Sequence, residues 1–317
     1  MGAKLSSAKS HSRRTSSTKS KTDSVSSNTA YNVPMLFPKQ KTYDRGDSDY
    51  WYPIDDDEID RLVGLHFAVK TLFGGNIPYH EQLLSQYPSN KGAKVLDLGC
   101  GPGTWVMELA TEYPSSEFVG IDICDVFPTN IRPPNATFQL GNVTHKLPFE
   151  DNTFDFIQLR LFIISIQRDQ WTKVMAEVIR VLKPGGFIQC IEPTIMTQGT
   201  PLVRQVADIF RDMITSQGQE PSIADKLDEY LAESGFRVLH DETKSVFLGR
   251  PGGVNDEFIW VLRSMLQSGE AFFLDRMGMN SEDYPAFVDS FCEQLHFPHE
   301  ETEWSFVYVL GQKPPIL

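Results

Sequence analysis

The feature that most constrains the fold of this 317-residue chain is a glycine-rich turn between two short apolar runs. The pattern predicts a buried strand at residues 94–98, a helix at 105–113 and a second strand at 118–123. The turn between the first strand and the helix has glycines at alternate positions, Gly99, Gly101 and Gly103. Glycines in the first turn of a βαβ unit let the backbone approach a ligand closely. The sequence therefore predicts an α/β fold with a ligand at this turn.

Two aspartates flank this turn. Asp97 stands two residues before the first glycine, and Asp122 ends the second strand, where an acid can accept hydrogen bonds from ribose hydroxyls. The G-x-G-x-G spacing differs from the G-x-G-x-x-G of dinucleotide-binding proteins, which disfavours an NAD-dependent oxidoreductase. A tight turn without any ligand is the other alternative, and the combination of strand, glycines and both acids argues against it.

This combination resembles the E/D-x-G-x-G-x-G motif of the class I S-adenosylmethionine-dependent methyltransferases. Three later segments are similar to the same family: the end of a third strand at 138–143, LPFEDNTFD at 147–155 and VLKPGG at 181–186. Asn142 stands where the family usually has Asp. The resemblance covers about residues 55–195, and it is greatest to the fungal branch that includes the velvet-associated regulator of secondary metabolism.

The resemblance implies a Rossmann-like, seven-stranded, mostly parallel sheet with helices on both faces, an antiparallel last strand and a helical cap. It implies S-adenosyl-L-methionine as the cofactor, and the cofactor-binding residues would be Asp97, Gly99, Gly101, Gly103, Asp122, Ile123, Asn142, Val143 and Arg160. The glycines would admit the methionine and ribose portions, Asp97 would orient the loop and the ammonium group, and Asp122 would bind the ribose. Asn142 and Val143 would hold the adenine. Arg160 ends the fourth strand, where ligands of parallel sheets bind, although an exposed, ion-pairing arginine is an open alternative.

The sequence does not identify the methyl acceptor, and proteins, small metabolites and lipids all remain open. By the same resemblance, the helix before the first strand lies over the cofactor, so that Arg61, His66 and Gly75 approach the site. We assign no catalytic residue, and the candidates for a base are His66, His80 and Tyr52. The aromatic residues of the segment at about 250–300 either line an acceptor cleft or pack in the core: Phe258, Trp260, Phe272, Phe273, Phe287 and Phe291.

Helix and strand patterns continue along the rest of the chain. Acidic residues at 55–57 begin a helix that Gly74 and Gly75 end, and a short helix is predicted near 80–87. Further helices are predicted at 171–182, 200–218, 221–234, 254–267 and 281–295, and further strands at 154–160, 187–192, 236–248 and 304–310.

We predict three parts of the chain from these patterns. Residues 1–45 form a disordered basic tail, residues 46–90 a helical segment over the cofactor site, and residues 91–317 the methyltransferase domain. A helical insertion at about 250–300 interrupts that domain and is the expected substrate cap.

The tail carries its own targeting pattern. Residues 1–30 contain fourteen Ser or Thr, six basic residues and one acid, a composition typical of disorder. Gly2 followed by Ser6 matches the N-myristoylation pattern, and the basic residues would add attraction to an anionic membrane surface. A solvated tail with a chance match and a mitochondrial transit peptide are the alternatives. We expect a cytoplasmic protein held at a membrane through Gly2, with the nucleus as the alternative location.

Composition and charge limit the classes of partner that the protein can bind. The net charge is −13 and the tail contributes +5, so the body carries −18, which argues against a nucleic-acid surface. Four cysteines without a CxxC pair favour a reduced compartment, and no apolar stretch is long enough for a membrane span. Cys292, His296 and His299 lack a recognisable fourth ligand, so no metal is expected. A second hypothesis makes the protein a regulatory scaffold that binds the cofactor and a protein partner with little or no turnover.

Overall fold

The computed structural model describes residues 48–79, 92–128, 130–250, 252–296 and 302–315. The predicted tail with Gly2, the predicted helix near 80–87 with His80, and His299 lie outside the described residues. All described residues belong to one compact unit.

A mixed sheet forms the centre of the described part of the chain. Its seven strands are β1 (Lys94–Leu98), β2 (Glu117–Asp122), β3 (Ala136–Leu140), β4 (Phe154–Arg160), β5 (Leu182–Pro193), β6 (Arg237–Phe247) and β7 (Glu303–Gln312). They lie in the order β3-β2-β1-β4-β5-β7-β6, and β7 runs antiparallel to both of its neighbours while the other pairs are parallel. This order confirms the predicted fold class, including the inserted antiparallel last strand.

Apolar strands at the middle of the sheet explain why helices cover both of its faces. In β1, Leu96 pairs with Val119 of β2 and Ile157 of β4, and Leu96 and Ile157 are fully buried. Parallel strands buried on both faces need such covering layers. The helices of the described residues are α1 (Asp56–Phe73), α2 (Thr104–Glu112), α3 (Trp171–Val181), α4 (Pro201–Ser216), α5 (Leu227–Glu233), α6 (Val254–Ser268), α7 (Glu270–Met277) and α8 (Tyr284–Leu295).

Helix α1 begins and ends where the sequence predicts. The side chain of Asp55 accepts a hydrogen bond from the backbone N–H of Glu58, which satisfies one of the unpaired donors of the first turn. At the other end Gly74 has φ 77°, a left-handed conformation that glycine adopts without steric strain.

Three segments differ from the sequence-based expectation. The helix predicted at 221–234 is a 3₁₀ turn at Ala224–Lys226 followed by the shorter α5, and α7 was not predicted. The segment between the helix predicted to end at 182 and the strand predicted to begin at 187 is instead the irregular beginning of β5. There Leu182 pairs with Phe154 before a shift of register, and neighbouring Gly185 has φ 81°. Helices α6, α7 and α8 together form the cap between β6 and β7.

Candidate functional site

A cavity of about 1180 Å³ lies at the carboxyl ends of β1, β2, β3 and β4. This is the edge of the sheet at which strand order reverses, since β1 has β2 on one side and β4 on the other, and such edges bind ligands. The predicted residues that line the cavity are Gly99, Gly101, Asp122, Ile123, Asn142, Val143 and Arg160. Asp97 and Gly103 are the two predicted residues that do not line it.

The glycine-rich turn is held in place from below by Asp122. One carboxylate oxygen of Asp122 accepts a hydrogen bond from the backbone N–H of Gly101 at 2.8 Å, and the other accepts from Cys124 N–H at 2.9 Å. A Cβ atom built at Gly101 would find only Leu62, 3.8 Å away, so the backbone there faces open space. Because a carboxylate offers about four lone-pair directions, Asp122 can accept further hydrogen bonds from a ligand in the cavity.

The other two glycines of the turn serve packing. A Cβ atom at Gly99 would lie 2.3 Å from the ring of Phe162, and one at Gly103 would lie 2.6 Å from the ring of Phe138. Gly103 also has φ 75° at the start of α2. Glycine is therefore required at Gly103 by the ring behind the turn rather than by a ligand in front of it.

Asp97 is buried and Asp122 is half-buried, and Asp97 has no counterion in contact among the described residues. Asp97 is 5% exposed and makes no hydrogen bond or ion pair to any described residue. Burial raises the pKa of Asp97 to about 7, with Arg160 lowering it and Asp122 raising it further. Burial also raises the pKa of Asp122, against the backbone N–H groups that hydrogen-bond to its carboxylate. A ligand that brings positive charge to this end of the cavity would stabilise the ionised form of both groups.

His66 lines the cavity from α1, but both of its ring nitrogens are occupied. Arg160 Nη2 lies 3.0 Å from Nδ1, and since arginine can only donate, Nδ1 is the acceptor and Nε2 carries the proton. Nε2 then donates to Glu108, 2.6 Å away on α2. Burial and the neighbouring Arg160 lower the pKa of His66 to about 4. This arrangement ties α1 to α2 and leaves no ring nitrogen available for the role of base.

Glu108 accepts the hydrogen bonds of three donors in this network. Lys70 donates to it at 2.6 Å and Asn76 at 3.0 Å, in addition to His66. Although burial raises the pKa of Glu108, these three hydrogen bonds outweigh that effect and lower it to about 2. Arg160 is thus a half-buried member of a network rather than an exposed ion-pairing residue.

A second polar cluster, Tyr50, Glu58 and Arg61, lies beside the cavity. Arg61 donates from Nε and Nη2 to the two carboxylate oxygens of Glu58, both at 2.7 Å, and from Nη2 to the Tyr50 hydroxyl at 3.1 Å. Tyr50 in turn donates to Glu58. Sequence reasoning missed Tyr50 and Glu58, although the i, i+3 spacing of Glu58 and Arg61 on α1 is a recognisable ion-pair signal.

The side chain of Asn142 makes hydrogen bonds within its own loop. Its side-chain oxygen accepts hydrogen bonds from the backbone N–H and the hydroxyl of Thr144, at 2.9 and 2.8 Å. Asn142 and Val143 both line the cavity, on the side formed by the residues that follow β3. Gly75, which the resemblance brought near the site, does not line this cavity.

The loop after β4 forms the floor of the cavity and is fixed by a buried acid. Glu192, at the end of β5, accepts hydrogen bonds from the backbone N–H groups of Phe162 and Ile163 at 2.7 and 3.0 Å. Burial raises the pKa of Glu192 to about 8, against these backbone donors. Leu161 just before them has φ 66°, which is rare for leucine and typical of backbone held by its surroundings at functional sites.

A second cavity, of about 910 Å³, adjoins the first and shares Tyr50, Leu62 and Leu161 with it. Of the aromatic residues predicted to line an acceptor cleft, Phe273 and Phe291 line this second cavity, as does Tyr52. Phe258, by contrast, packs on Phe306 with the ring centroids 5.2 Å apart. The others do not line it: Trp260 is 44% exposed and packs on Gly64, Phe272 packs on Trp51, and Phe287 is buried in α8.

The described residues were also compared with the requirements of a metal site and of a membrane-spanning helix. Among the described residues, no group of three His, Cys, Asp or Glu side chains is placed to hold a metal ion. None of the helices in the same part of the chain combines the length and apolar character needed to cross a bilayer.

Comparison with known proteins points to one enzyme class. Residues 95–186 match the family model described as a methyltransferase domain. The secondary metabolism regulator laeA of Coprinopsis cinerea is 31% identical over 143 residues, which are 45% of this chain and 35% of the relative. The regulator LAE1 of Cochliobolus heterostrophus is 30% identical over 45% of each chain. This chain thus spans less than half of the length of either regulator.

Other relatives are matched over more of their length. N-methyltransferase tcpN of Claviceps purpurea is 26% identical over 64% of this chain and 74% of the relative. Among solved structures, a candidate sarcosine dimethylglycine methyltransferase from Galdieria sulphuraria is 17% identical with a TM-score of 0.49. That alignment covers 82% of this chain and 89% of the other.

Proposed function

Because this chain belongs to the class I S-adenosylmethionine-dependent methyltransferases, we propose that its larger cavity binds S-adenosyl-L-methionine and that the whole protein transfers the methyl group to an acceptor. The observation that carries the proposal is the joint position of Gly101 and Asp122. An open backbone and a half-buried carboxylate meet at the carboxyl ends of β1 and β2, where a ribose can be bound.

The charges of the cavity fit this cofactor. Its methionine end carries an ammonium and a carboxylate, and its sulfur is a sulfonium cation. Asp97 is a buried acid and Asp122 a half-buried one, both with raised pKa values, and the half-buried Arg160 contacts His66. Asp97 does not line the cavity, so we assign the ammonium to it through its charge rather than through direct contact. We assign the ribose hydroxyls to Asp122, and the adenine to the side of the cavity formed by Ile123, Asn142 and Val143.

When bound, S-adenosylmethionine supplies a methyl group already attached to a good leaving group, so the protein's task is positioning and the exclusion of water. Helix α1 covers the cavity with Ile59, Leu62 and His66. The His66 network holds α1 against α2, and Glu192 holds the floor loop beneath. Both sets of hydrogen bonds fix the space in which the methyl group meets the acceptor.

Calorimetry of S-adenosylmethionine binding to Asp122→Ala tests the proposal. Loss of hydrogen bonds from two ribose hydroxyls to a charged acceptor is expected to weaken binding about 100-fold or more. The matched control is Asp125→Ala, which removes an exposed acid three residues further on and should leave affinity unchanged. Equal affinity of the Asp122 variant and the wild type, both folded by thermal melting, would remove the ribose assignment.

A regulatory scaffold is the second candidate function, and the named regulators among the relatives favour it. In that case the protein binds the cofactor and a protein partner with little or no turnover. Incubation of the purified chain with methyl-labelled cofactor and cell extract separates the two functions. Label that enters extract with the wild type and not with Asp122→Ala supports the enzyme, whereas cofactor binding without label supports the scaffold.

A further inference from the structure

The second cavity is an apolar chamber built from many parts of the chain. The loops that follow β4 and β5 contribute Ile163 and Ile195, α4 contributes Phe210, the cap contributes Leu266 and Phe273, and β7 contributes Trp304. Its lining is mostly apolar with a few placed polar groups, which is the character of small-molecule sites.

This chamber meets the cofactor cavity at a defined junction. Tyr50, Leu62 and Leu161 line both, so a molecule in the chamber would border the space assigned to the cofactor. Leu161 is the residue with φ 66°, and the buried Glu192 fixes the two residues that follow it. The junction is therefore rigid, which suits a reaction that depends on alignment of two molecules.

Arg61 is the charged residue among those described that line the chamber. It is 3% exposed, and its Nε and Nη2 are bound to Glu58 and Tyr50, but the structure gives its Nη1 no partner among the described residues. A buried donor without a partner is costly, and an oxygen atom of a ligand would satisfy it. None of the described residues that line the chamber is acidic, so the ammonium of a lysine side chain would be desolvated there without compensation.

We propose that the chamber is the acceptor site, and that the acceptor is an apolar, ring-sized small molecule with an oxygen that accepts a hydrogen bond from Arg61 Nη1. The inference rests on the proposed function. In the transfer, a nucleophilic atom of the acceptor bonds to the methyl carbon while the carbon–sulfur bond breaks and its electron pair stays on sulfur. S-adenosylhomocysteine leaves, and a proton carried by the nucleophile is released to water.

The test fills the chamber without touching the cofactor cavity. Ala207 is buried on α4 and lines the chamber only, so Ala207→Phe should occupy it. Ala286→Phe is the matched control, because Ala286 is exposed on cap helix α8. The probe is anilinonaphthalene sulfonate, whose rings and sulfonate oxygens match the proposed chemistry. We expect the full chain to bind it, Ala207→Phe to bind at least about tenfold more weakly, and Ala286→Phe to bind like the wild type.

Cofactor binding tests the proposed function and probe binding tests the chamber, so the two proposals can fail separately. Calorimetry of S-adenosylmethionine should give the same affinity for all three proteins, which also shows that Ala207→Phe is folded. Failure of every protein to bind the cofactor would remove the proposed function and leave the chamber testable by the probe alone. Equal probe binding by Ala207→Phe and the wild type, or no binding by either, would overturn the chamber as a ligand site.

Two further measurements test the acceptor class. N-phenyl-1-naphthylamine has the same rings without the sulfonate, and it should bind about tenfold more weakly than the sulfonated probe; equal affinities would remove the role of Arg61. With methyl-labelled cofactor and cell extract, label should enter the solvent-extractable fraction with the wild type and Ala286→Phe but not with Ala207→Phe. Label found in precipitated protein instead would overturn the small-molecule acceptor.

Discussion

The chemistry of the cofactor cavity depends on single residues whose pKa values differ from those of the same side chains in water. Asp97 is the clearest case, because it is buried, has no hydrogen bond from the described residues and has a pKa raised to about 7 by burial. The carboxyl group is thus about half protonated at pH 7 before a ligand arrives. A bound ammonium group favours the carboxylate, so binding must release the proton.

The consequence is a pH-dependent affinity for S-adenosylmethionine. With a pKa of about 7, only about 3% of Asp97 is ionised at pH 5.5, so affinity should rise up to about 30-fold between pH 5.5 and pH 8. Calorimetry at pH 7 in buffers with different ionisation enthalpies should show release of about half a proton per site. Asp97→Asn is the control, which should bind more weakly and lose this release; an unchanged release would assign it to another group.

Local spacing in the sequence brings most of the predicted site residues to the lining of the cavity. The glycines, Asp122 and the residues after β3 are recognisable because the turn itself requires them, and seven of the nine predicted residues line the cavity. Tyr50 and Glu192 escaped assignment because their partners meet them only in the folded chain, and Glu58 was missed although its partner Arg61 lies three residues further along α1. Glu192, for example, binds residues 29 and 30 positions earlier in the chain. Gly103 was assigned to the cofactor, but it is required by the ring of Phe138.

Among the elements, the turn that leads into α2 is the most constrained. Its Gly103 shares a left-handed φ with Gly74 at the end of α1, at 75° and 77° respectively. The two sites differ in their surroundings, since a Cβ at Gly74 meets nothing within 4 Å whereas one at Gly103 meets Phe138 and Pro128. An added Cβ at Gly74 therefore introduces conformational strain alone, whereas one at Gly103 introduces strain and steric overlap together.

Substitution of each glycine by alanine should give two different losses of stability. Gly74→Ala should lower the free energy of unfolding by about 1–2 kcal/mol through left-handed strain alone. Gly103→Ala should cost about 1–3 kcal/mol more, because the ring of Phe138 must move. Urea denaturation of both variants provides the measurement. Equal losses would mean that Phe138 yields without cost and that packing does not constrain the turn.

Long periodic elements were predictable from the sequence, and short irregular ones were not. Helix α1 and strand β4 follow the predicted bounds closely, since each has a regular pattern and a defined end. Helix α7 has only eight residues and directly follows α6 at Gly269, so no separate pattern marks it. The start of β5 contains Pro184 and two glycines, which favour a turn, yet pairing with β4 draws the segment into the sheet.

For the whole molecule, charge divides the chain into two unlike parts, a tail of +5 at residues 1–30 and a remainder of −18. An acidic body is repelled by an anionic membrane while a basic, acylated tail is attracted to it. We propose on the sequence alone that Gly2 is myristoylated and that the tail holds the protein at a membrane. The nucleus is the alternative location, and the scattered placement of the basic residues weakens it.

Substitution at Gly2 tests this localisation in cells. Gly2→Ala removes the glycine that the N-myristoylation pattern requires and should shift the protein from the membrane to the soluble fraction. Ala3→Gly leaves Gly2 in place and is the matched control. The same distribution for Gly2→Ala and the wild type would exclude acylation as the anchor.

The position of β7 between β5 and β6 also sets an order for folding. Val95 of β1 pairs with Phe156 of β4, 61 positions later, whereas Ile188 of β5 pairs with Gly311 of β7, 123 positions later, and β6 joins the sheet through β7. Pairing of such distant segments closes a long loop and is slow. We therefore expect the cofactor half of the sheet to gain structure before the acceptor chamber closes, because the chamber needs β7 and the cap together.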